Sequence, residues 1–402
     1  MTTLALSLPR ELARRLVPQT ARGNYRMALM FFFFFMGTIF ASWATRIPDI
    51  KASLQLTDAA LGSILFGAPL GELVAIAPSA WLIGKVHTRK AIILSMILLP
   101  LALVGLSLAP GRLALFAALF FFGFVYNMAN IALNSQAVGV EILYRRSIIA
   151  TFHGMWSLGG VIGGLIGAVV APLGVPPLLH FVAITVITLC GLALLQPLIM
   201  PREVHIGSSK GEPQKKTRIR PSAFLIILGF IAFGSMATEG AMYDWSAVFF
   251  AQVIQPEEHF VRLGYLACMT FMVMGRLLAD GLVNRYGVTP VLQASGLCIA
   301  AGLTLALTTG ELVPATVGLA LVGFGMASIV PLCYSLAGRS RTIPAQVGIS
   351  FVSSISFFGF LACPPTIGFL SHLFGLSWAL SPIIVVGLAI FVLATLAHRM
   401  RP

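Results

Sequence analysis

The chain has 402 residues, of which 58% are hydrophobic and only 10% are charged. A soluble globular chain carries about 25% charged residues, so this composition excludes an ordinary soluble domain and makes a lipid bilayer the expected solvent. The net charge of +13 would suit a nucleic-acid partner, but the basic residues are confined to particular loops, which argues against nucleic acid.

Hydropathy in windows of about 19 residues predicts twelve helices, each long enough to cross a hydrocarbon core of about 30 Å. Runs such as Phe31 to Phe35 do not alternate apolar and polar residues, which argues against the strands of a membrane β-barrel. The predicted spans are residues 27–46, 59–83, 91–109, 113–136, 150–171, 177–199, 222–253, 260–283, 288–309, 313–337, 346–369 and 374–397.

The Lys and Arg residues predict the orientation of these spans. Most of the 26 fall in the N-terminal segment, residues 1–26, and in every second loop after it; the opposite side has only Arg46, Lys51, Arg112 and Arg262. By the positive-inside rule the basic side is cytoplasmic, with both termini inside, and anionic lipid headgroups are a secondary partner. We therefore expect a monomeric multi-pass protein of a bacterial inner membrane.

A polar, basic segment rich in Gly, Pro and Ser divides the chain into two halves. This linker, residues 201–221, separates an N-terminal bundle of six spans, residues 27–200, from a C-terminal bundle of six, residues 222–397, which ends in a cytoplasmic tail at 398–402.

The two halves share a short motif in the loop after their second helix. The chain reads AWLIGKVHTRK from Ala80 and, 200 residues later, DGLVNRYGVTP from Asp280, so that Lys85 corresponds to Arg285 and His87 to Gly287. A duplicated six-helix unit explains this match, and parallel repeats of this kind build transporters with a site between the halves.

The chain resembles the major facilitator superfamily in three features. These are the twelve spans, the central basic linker and a degenerate Gly-x-Leu-x-Asp-Arg-x-Gly-Arg-Arg loop. Seven further segments resemble its branch of YbjJ- and MosC-type inner-membrane proteins and, more distantly, the fucose permeases. They are ASWATRIPDI from Ala41, NIALNSQAVGVE from Asn130, FHGMWSLGG from Phe152, EGAMYDWSAV from Glu239, GRLLADGLVNRYG from Gly275, IVPLCYSLAGR from Ile329 and GFLACPPTIGF from Gly359.

This resemblance implies an all-α membrane fold of two pseudo-symmetric six-helix bundles that alternate in access. It also implies that a loop acid latches the halves through a basic residue, with Lys85, Arg89 and Arg285 as gating candidates. The acidic position is Gly84 in the first copy and Asn284 in the second, so the family latch is not expected here in its usual form.

Glu239 is the first candidate for a proton-coupling residue because it lies in the middle of the seventh span. Ser235, Glu239, Tyr243 and Ser246 recur at helical spacing and form one polar stripe. Burial would favour the neutral form of this carboxyl, which would then load and release a proton; a role in holding helices together is the alternative.

Asp244 and Trp245 follow within the same segment. Asp244 lies about 140° around an ideal helix from Glu239, so we expect it off that stripe, with substrate-binding and structural roles equally open. Trp245 lies nearer the external end of the span, where an aromatic belt residue is common, and is a further substrate-binding candidate.

The fourth and fifth spans supply the other substrate candidates. Asn127, Asn130 and Asn134 share one helix face and would hydrogen-bond a polar, uncharged solute, or else join helices. His153 is a second proton site or a structural histidine, and Trp156 offers a stacking face or packs in the core.

Arg276 and Asp280 are four residues apart on the eighth span, so we expect them to pair and include both among the gating candidates. The alternative is that Arg276 serves Glu239 or an anionic substrate.

These residues predict a secondary transporter for a small polar solute such as a sugar, cyclitol or nucleoside, coupled to H⁺ or Na⁺. Proton-driven export of amphipathic compounds is the main alternative, favoured by 29 Phe and 15 Met residues that make an adaptable pocket. A receptor that binds without transport is a third possibility. We expect no enzyme activity, cofactor or metal site, because the sequence has no H-E-x-x-H, G-x-S-x-G or P-loop motif.

Overall fold

The computed structural model describes residues 19–144, 148–201, 222–339 and 345–400. The predicted linker, apart from Pro201, lies outside the described residues, as do residues 1–18 of the N-terminal segment and 401–402 of the tail. We use "N-terminal half" for residues 19–201 and "C-terminal half" for residues 222–400.

The described residues are helical almost throughout. Their α-helices are α1 (Gln19–Ala44), α2 (Ile47–Ser53), α3 (Asp58–Leu65), α4 (Gly67–Ser107), α5 (Arg112–Tyr144), α6 (Ile149–Val170), α7 (Pro177–Leu195), α8 (Ala223–Phe249), α9 (Leu263–Tyr286), α10 (Val288–Thr309), α11 (Leu312–Met326), α12 (Ile329–Gly338), α13 (Ala345–Phe374), α14 (Leu376–Leu380) and α15 (Pro382–Arg399). A π-helical turn, Phe250–Ile254, extends α8.

Eleven helical segments of the described chain are long and apolar enough to cross a membrane. The sequence predicts twelve, and the difference lies at Asp58–Ser107, one segment of 50 residues where two spans were expected. The backbone leaves helical geometry inside this segment at His87, with φ 65° and ψ 159°, in the predicted loop between the second and third spans.

The break at His87 has a counterpart in the other half. Gly287, between α9 and α10, has φ 85° and ψ 167°, nearly the same conformation. Glycine adopts this region freely, whereas a residue with a Cβ is strained there. The predicted alignment of His87 with Gly287 therefore reappears as a shared backbone conformation.

Helix packing repeats between the halves. In the N-terminal half α1 packs on α6, and the two parts of α4 pack on α5 and α7; in the C-terminal half α8 packs on α13, α9 on α11, and α10 on α15. These pairs join the corresponding spans of each half, which supports the duplication inferred from the loop motif.

Glycines permit the closest of these contacts, as the sequence predicts for the fifth span. A Cβ built on Gly159 of α6 would lie 2.0 Å from the carbonyl oxygen of Phe34 on α1. In the C-terminal half, a Cβ on Gly359 of α13 would lie 2.3 Å from the carbonyl oxygen of Phe233 on α8. Small residues let membrane helices approach at backbone distance, and here they do so at equivalent places.

Several boundaries differ from the prediction: α5 continues to Tyr144, eight residues beyond the predicted end of the fourth span, and α13 continues to Phe374, five residues beyond the eleventh. Helix α1 begins by Gln19, eight residues before the predicted span, because polar residues continue the same helix beyond the apolar stretch. The tenth predicted span is divided into α11 and α12 at Ala327 and Ser328, just before Pro331, which lacks the backbone donor that an unbroken helix needs.

Candidate functional site

Glu239 lies in a polar cluster that joins the two halves. Its Oε1 accepts a hydrogen bond of 2.5 Å from the Tyr243 hydroxyl, one turn along α8, and lies 3.5 Å from Arg276 Nη2 on α9. The other guanidinium nitrogen, Nη1, donates to Ser157 Oγ on α6 at 2.7 Å. Arg276 therefore connects a carboxylate of the C-terminal half to a hydroxyl of the N-terminal half.

The expected pairing of Arg276 with Asp280 is wrong. Asp280 is exposed toward the end of α9, whereas the side chain of Glu239 is only 13% exposed. A carboxylate shielded from water gains more from a cation than one that water already solvates, so the guanidinium faces Glu239. The alternative, in which Arg276 serves Glu239, is the arrangement observed.

Aromatic rings lie beside this cluster. The Phe40 ring centroid is 5.1 Å from that of Tyr243, 6.2 Å from Trp156 and 5.9 Å from Tyr126. Trp156 Nε1 donates to the Tyr126 hydroxyl at 2.7 Å. The half-buried indole of Trp156 is thus held in a fixed orientation within an aromatic layer formed by these four residues.

A small cavity that Phe40 also lines contains two carboxyl groups, one from each half. The volume of this cavity is about 20 Å³, which is enough to hold one water molecule. Glu72 of α4 and Asp244 of α8 both line it, and neither side chain has a hydrogen bond or ion pair with another described residue. The remaining lining residues are Phe40, Trp43, Leu65, Ala68, Pro69, Leu119, Phe122 and Phe360.

The helical geometry predicted that Asp244 would leave the Glu239 stripe, and the structure agrees: Asp244 lines the cavity while Glu239 faces Arg276. The sequence left open whether Glu72 is functional or structural. The available signal was an acid between two prolines, Pro69 and Pro78, in an otherwise apolar span.

The three asparagines of α5 differ in their contacts. Asn127 Nδ2 donates to the backbone carbonyl of Glu72, a bond between α5 and α4. Asn134 Nδ2 donates to Asn130 Oδ1 at 2.6 Å and to the Asn130 carbonyl at 2.9 Å, and Asn130 is exposed. Asn127 is thus engaged in helix packing, whereas Asn130 and Asn134 form a polar pair on an open face.

His153 and Trp245 lie in contrasting environments. His153 is exposed one turn from Ser157, with its ring centroid 5.5 Å from that of Phe33. Trp245 is completely buried and its indole N–H has no partner among the described residues. The expectation that Trp245 resembles a belt residue is wrong, because a ring without exposure does not reach a membrane surface.

The loop residues proposed as gates contact their own half. Lys85 Nζ lies 4.3 Å from the centre of the Trp81 ring, Arg89 Nη2 donates to the Gln196 carbonyl at 3.3 Å, and the Arg285 guanidinium lies 5.2 Å from the Tyr286 ring centre. None of these three contacts joins the two halves. Among the described residues, the side-chain hydrogen bonds and ion pairs that do join the halves, apart from Arg276 with Ser157, lie toward the opposite end of the bundle, as in the pair of Arg262 with Asp49.

Comparison with known proteins identifies the family. The sequence model of the Major Facilitator Superfamily matches residues 27–349 of this chain. A Yersinia pestis protein described as an uncharacterized MFS-type transporter is 32% identical over 350 residues, 86% of this chain and 89% of that protein. Membrane protein MosC of Rhizobium meliloti is 31% identical over 374 residues, 93% of this chain and 90% of MosC.

Solved structures share the fold at low identity. A bacterial homologue of the human lysosomal transporter Spinster, inward-facing and occupied, has a TM-score of 0.75 at 16% identity, with 95% of this chain and 98% of that chain covered. A D-xylose–proton symporter has a TM-score of 0.72 at 13% identity, covering 94% and 98%. FucP, the E. coli fucose:proton symporter, in its outward conformation has a TM-score of 0.61 at 17% identity, covering 93% and 99%.

The resemblance seen in the sequence is thus confirmed: the chain belongs to the major facilitator superfamily of membrane transporters.

Proposed function

We propose that this protein is a secondary active transporter that moves a small polar solute across the bacterial inner membrane by alternating access, coupled to protons. The observation that carries this proposal is the Glu239–Arg276–Ser157 cluster, in which an ion pair of one half is hydrogen-bonded to the other half at membrane depth. Ionisable residues so placed are expensive to keep and mark pathways for ions and solutes.

The topology behind this proposal has twelve spans with both termini in the cytoplasm. A continuous helix of the 50 residues of Asp58–Ser107 would be about 75 Å long, more than twice the hydrocarbon thickness. Two crossings that meet at His87 fit a bilayer and place Lys85, Arg89 and Lys90 together on the side that holds most of the Lys and Arg residues.

Proton binding is coupled to movement of the halves because a proton and Arg276 compete for the Glu239 carboxylate. In this conformation Glu239 is paired with Arg276 and accepts a hydrogen bond from the Tyr243 hydroxyl. A proton that binds Glu239 removes the charge that holds Arg276, which then depends on Ser157 of the other half or on a solute oxygen. Proton binding and movement of the halves are linked because both act on the same guanidinium.

The solute site extends from this cluster over the aromatic layer. Trp156 provides a half-buried ring, Asn130 and Asn134 provide amides, and Asp244 provides a carboxyl that has no partner among the described residues in the adjoining cavity. Apolar walls with a few well-placed polar groups are typical of sites for small polar molecules. The proton symporters of fucose and D-xylose that share this fold support the same class of solute.

Export of amphipathic compounds is the second candidate, favoured by the four aromatic side chains, Phe40, Trp43, Phe122 and Phe360, that line the small cavity. A membrane receptor that binds without transport is the third.

Reconstituted vesicles with and without a pH gradient separate these functions, using labelled sugars, cyclitols, nucleosides and lipophilic cations as solutes. Gradient-driven accumulation of a polar solute supports the first proposal, and expulsion of lipophilic cations supports the second. A ligand that stabilises the protein in thermal shift but never crosses the vesicle membrane would leave only the receptor.

A further inference from the structure

The hydroxyl of Tyr334 in the C-terminal half is left as a hydrogen-bond acceptor. Its oxygen, on α12, lies 3.0 Å from Ser356 Oγ on α13. Ser356 is 1% exposed, and its own hydroxyl donates to the Ser353 carbonyl at 2.9 Å. A hydroxyl has one proton to donate, so Ser356 accepts from Tyr334 and the phenol proton is used. The phenol oxygen keeps its lone pairs, for which the described part of the chain supplies no further donor.

A tyrosine hydroxyl of the N-terminal half has the opposite polarity. Trp156 Nε1 on α6 donates to the Tyr126 hydroxyl on α5 at 2.7 Å. An indole nitrogen only donates, so Tyr126 is the acceptor in this bond and its own phenol proton remains to be donated. That proton has no acceptor among the described residues. Tyr126 therefore offers a donor where Tyr334 offers an acceptor.

The two bonds use equivalent positions of the repeat. Gly159 of α6 and Gly359 of α13 make matching backbone contacts with the first span of their own halves, and the same interval of 200 residues relates Trp156 to Ser356. In each half, one position of the fifth span thus fixes a tyrosine of the fourth span. Because the tryptophan donates and the serine accepts, the free hydrogen-bonding capacity of the two tyrosines is opposite.

Both tyrosine hydroxyls lie near the Glu239 carboxylate. Tyr126 and Tyr334 belong to opposite halves, yet each interacts electrostatically with Glu239, and each is only partly buried. Glu239 itself is bonded to Tyr243 and paired with Arg276. The two hydroxyls therefore flank this carboxylate without bonding to it, and a molecule between the halves can use both.

We propose that Tyr126 and Tyr334 determine the specificity of the solute site as a pair of opposite polarity: Tyr126 donates to an acceptor on the solute, and Tyr334 accepts from a donor on it. This inference rests on the proposed function and narrows its solute class. The solute has a hydroxyl or N–H group where it meets α12 and an oxygen lone pair where it meets α5. Fluorine in place of the hydroxyl that meets α12 removes the donor with little change in size.

The polarity of the pair is measurable without any solute. In a Raman spectrum the intensity ratio of the tyrosine doublet is lower for a phenol that donates than for one that accepts. Subtracting the spectrum of Tyr334→Phe from that of the parent protein isolates one tyrosine, and subtracting Tyr126→Phe isolates the other. The ratio is expected to be lower for Tyr334, and Ser356→Ala should raise it. Equal ratios, or a lower ratio for Tyr126, would overturn the pair.

Binding measurements test the role of the pair. The probes are D-xylose, fucose, myo-inositol and uridine, each compared with analogues in which one hydroxyl at a time is replaced by fluorine. In the parent protein, at least one analogue of a bound probe is expected to bind about two- to tenfold more weakly, the effect of one neutral hydrogen bond. Tyr334→Phe should bind that probe and its analogue equally, because neither can donate to the missing oxygen.

Two further variants separate polarity from packing. Ser356→Ala should narrow the difference between probe and analogue, because Tyr334 is then free to donate to fluorine. Thr366→Ala is the matched control on α13, since it removes a hydroxyl bonded only to the Ala362 carbonyl of the same helix, and it should keep the full difference.

The outcomes distinguish this pair from the transport function. A probe that binds the parent protein and shows the same loss on fluorination in folded Tyr334→Phe would overturn the pair, and vesicle flux would still judge transport. If none of the four probes binds the parent protein, the proposed solute class is contradicted and the pair with it.

Discussion

Glu239 Oε1 and Arg276 Nη2 lie 3.5 Å apart in the middle of the helical bundle, on neighbouring helices of the C-terminal half. The Arg276 guanidinium also donates a hydrogen bond to Ser157 of the N-terminal half, so the ion pair has a partner across the interface between the halves. The ion pair belongs to the C-terminal half, and its hydrogen bond to Ser157 connects that buried charge to the relative position of the two halves.

Arg276→Gln is expected to lower the free energy of unfolding in detergent by about 1 to 3 kcal/mol, because it leaves the Glu239 carboxylate without its cation. Glu239→Gln in the same chain should recover most of this loss, since two amides need no counter-charge. Arg285→Gln is the control, as that guanidinium stacks on Tyr286 of its own helix. Chemical denaturation provides the measurement, and equal losses in the single and double variants would contradict the ion-pair account.

His87→Gly is expected to raise the free energy of unfolding by about 1 kcal/mol. The strain of a residue with a Cβ at φ 65° and ψ 159° exceeds the entropy that glycine adds to the unfolded chain. The reciprocal change, Gly287→Ala, should destabilise because it introduces the same strain at φ 85°. A lower melting temperature for His87→Gly than for the parent protein would show that other contacts of His87 outweigh its backbone strain.

Asp244→Asn is expected to leave the stability of the protein unchanged or slightly higher, because the carboxyl has no partner to lose among the described residues. Solute affinity should fall about twofold to tenfold, since a hydrogen bond between neutral groups contributes about 0.5 to 1.5 kcal/mol. Ser246→Ala is the control, because its hydroxyl bonds only to the Met242 carbonyl on the same helix. Calorimetric titration of both variants checks this, and undiminished affinity in Asp244→Asn would remove this carboxyl from the solute site.

The asparagines should separate binding from packing. Asn127→Ala is expected to cost about 1 kcal/mol of stability by removing the bond to the Glu72 carbonyl, with solute affinity retained. Asn130→Ala should lower solute affinity and leave stability nearly unchanged. The Asn130 amide is exposed, and its partner among the described residues is Asn134. Thermal unfolding and ligand titration of the same two preparations test the pair, and identical profiles for both variants would contradict the assignment.

Hydropathy and helical periodicity predicted most of the membrane fold because both follow from local rules. The bilayer thickness dictates the length of each span, and an angle of about 100° per residue separates Asp244 from the Glu239 stripe without any tertiary information. The shared loop motif also predicted that His87 and Gly287 are equivalent, and their backbone angles confirm it.

Partners across the bundle were beyond these local rules. The nearest acid to Arg276 along its own helix is Asp280. Arg276 pairs instead with Glu239 of a different helix, because the buried Glu239 carboxylate gains more from a cation. Arg262 was counted only as a loop charge that reports topology, because nothing in the sequence brings it together with Asp49, 213 residues away. Glu72 was visible in the sequence as an acid in an apolar span, but only the structure shows that Asp244 lines the same cavity.

The most direct test of the account is solute accumulation in vesicles driven by a pH gradient, compared between the parent protein and Glu239→Gln. The account predicts that the parent protein concentrates a polar solute against its gradient, whereas Glu239→Gln only equilibrates the solute and no longer responds to pH. Accumulation by Glu239→Gln equal to that of the parent protein, with the same dependence on the gradient, would contradict the central claim that Glu239 couples proton binding to transport.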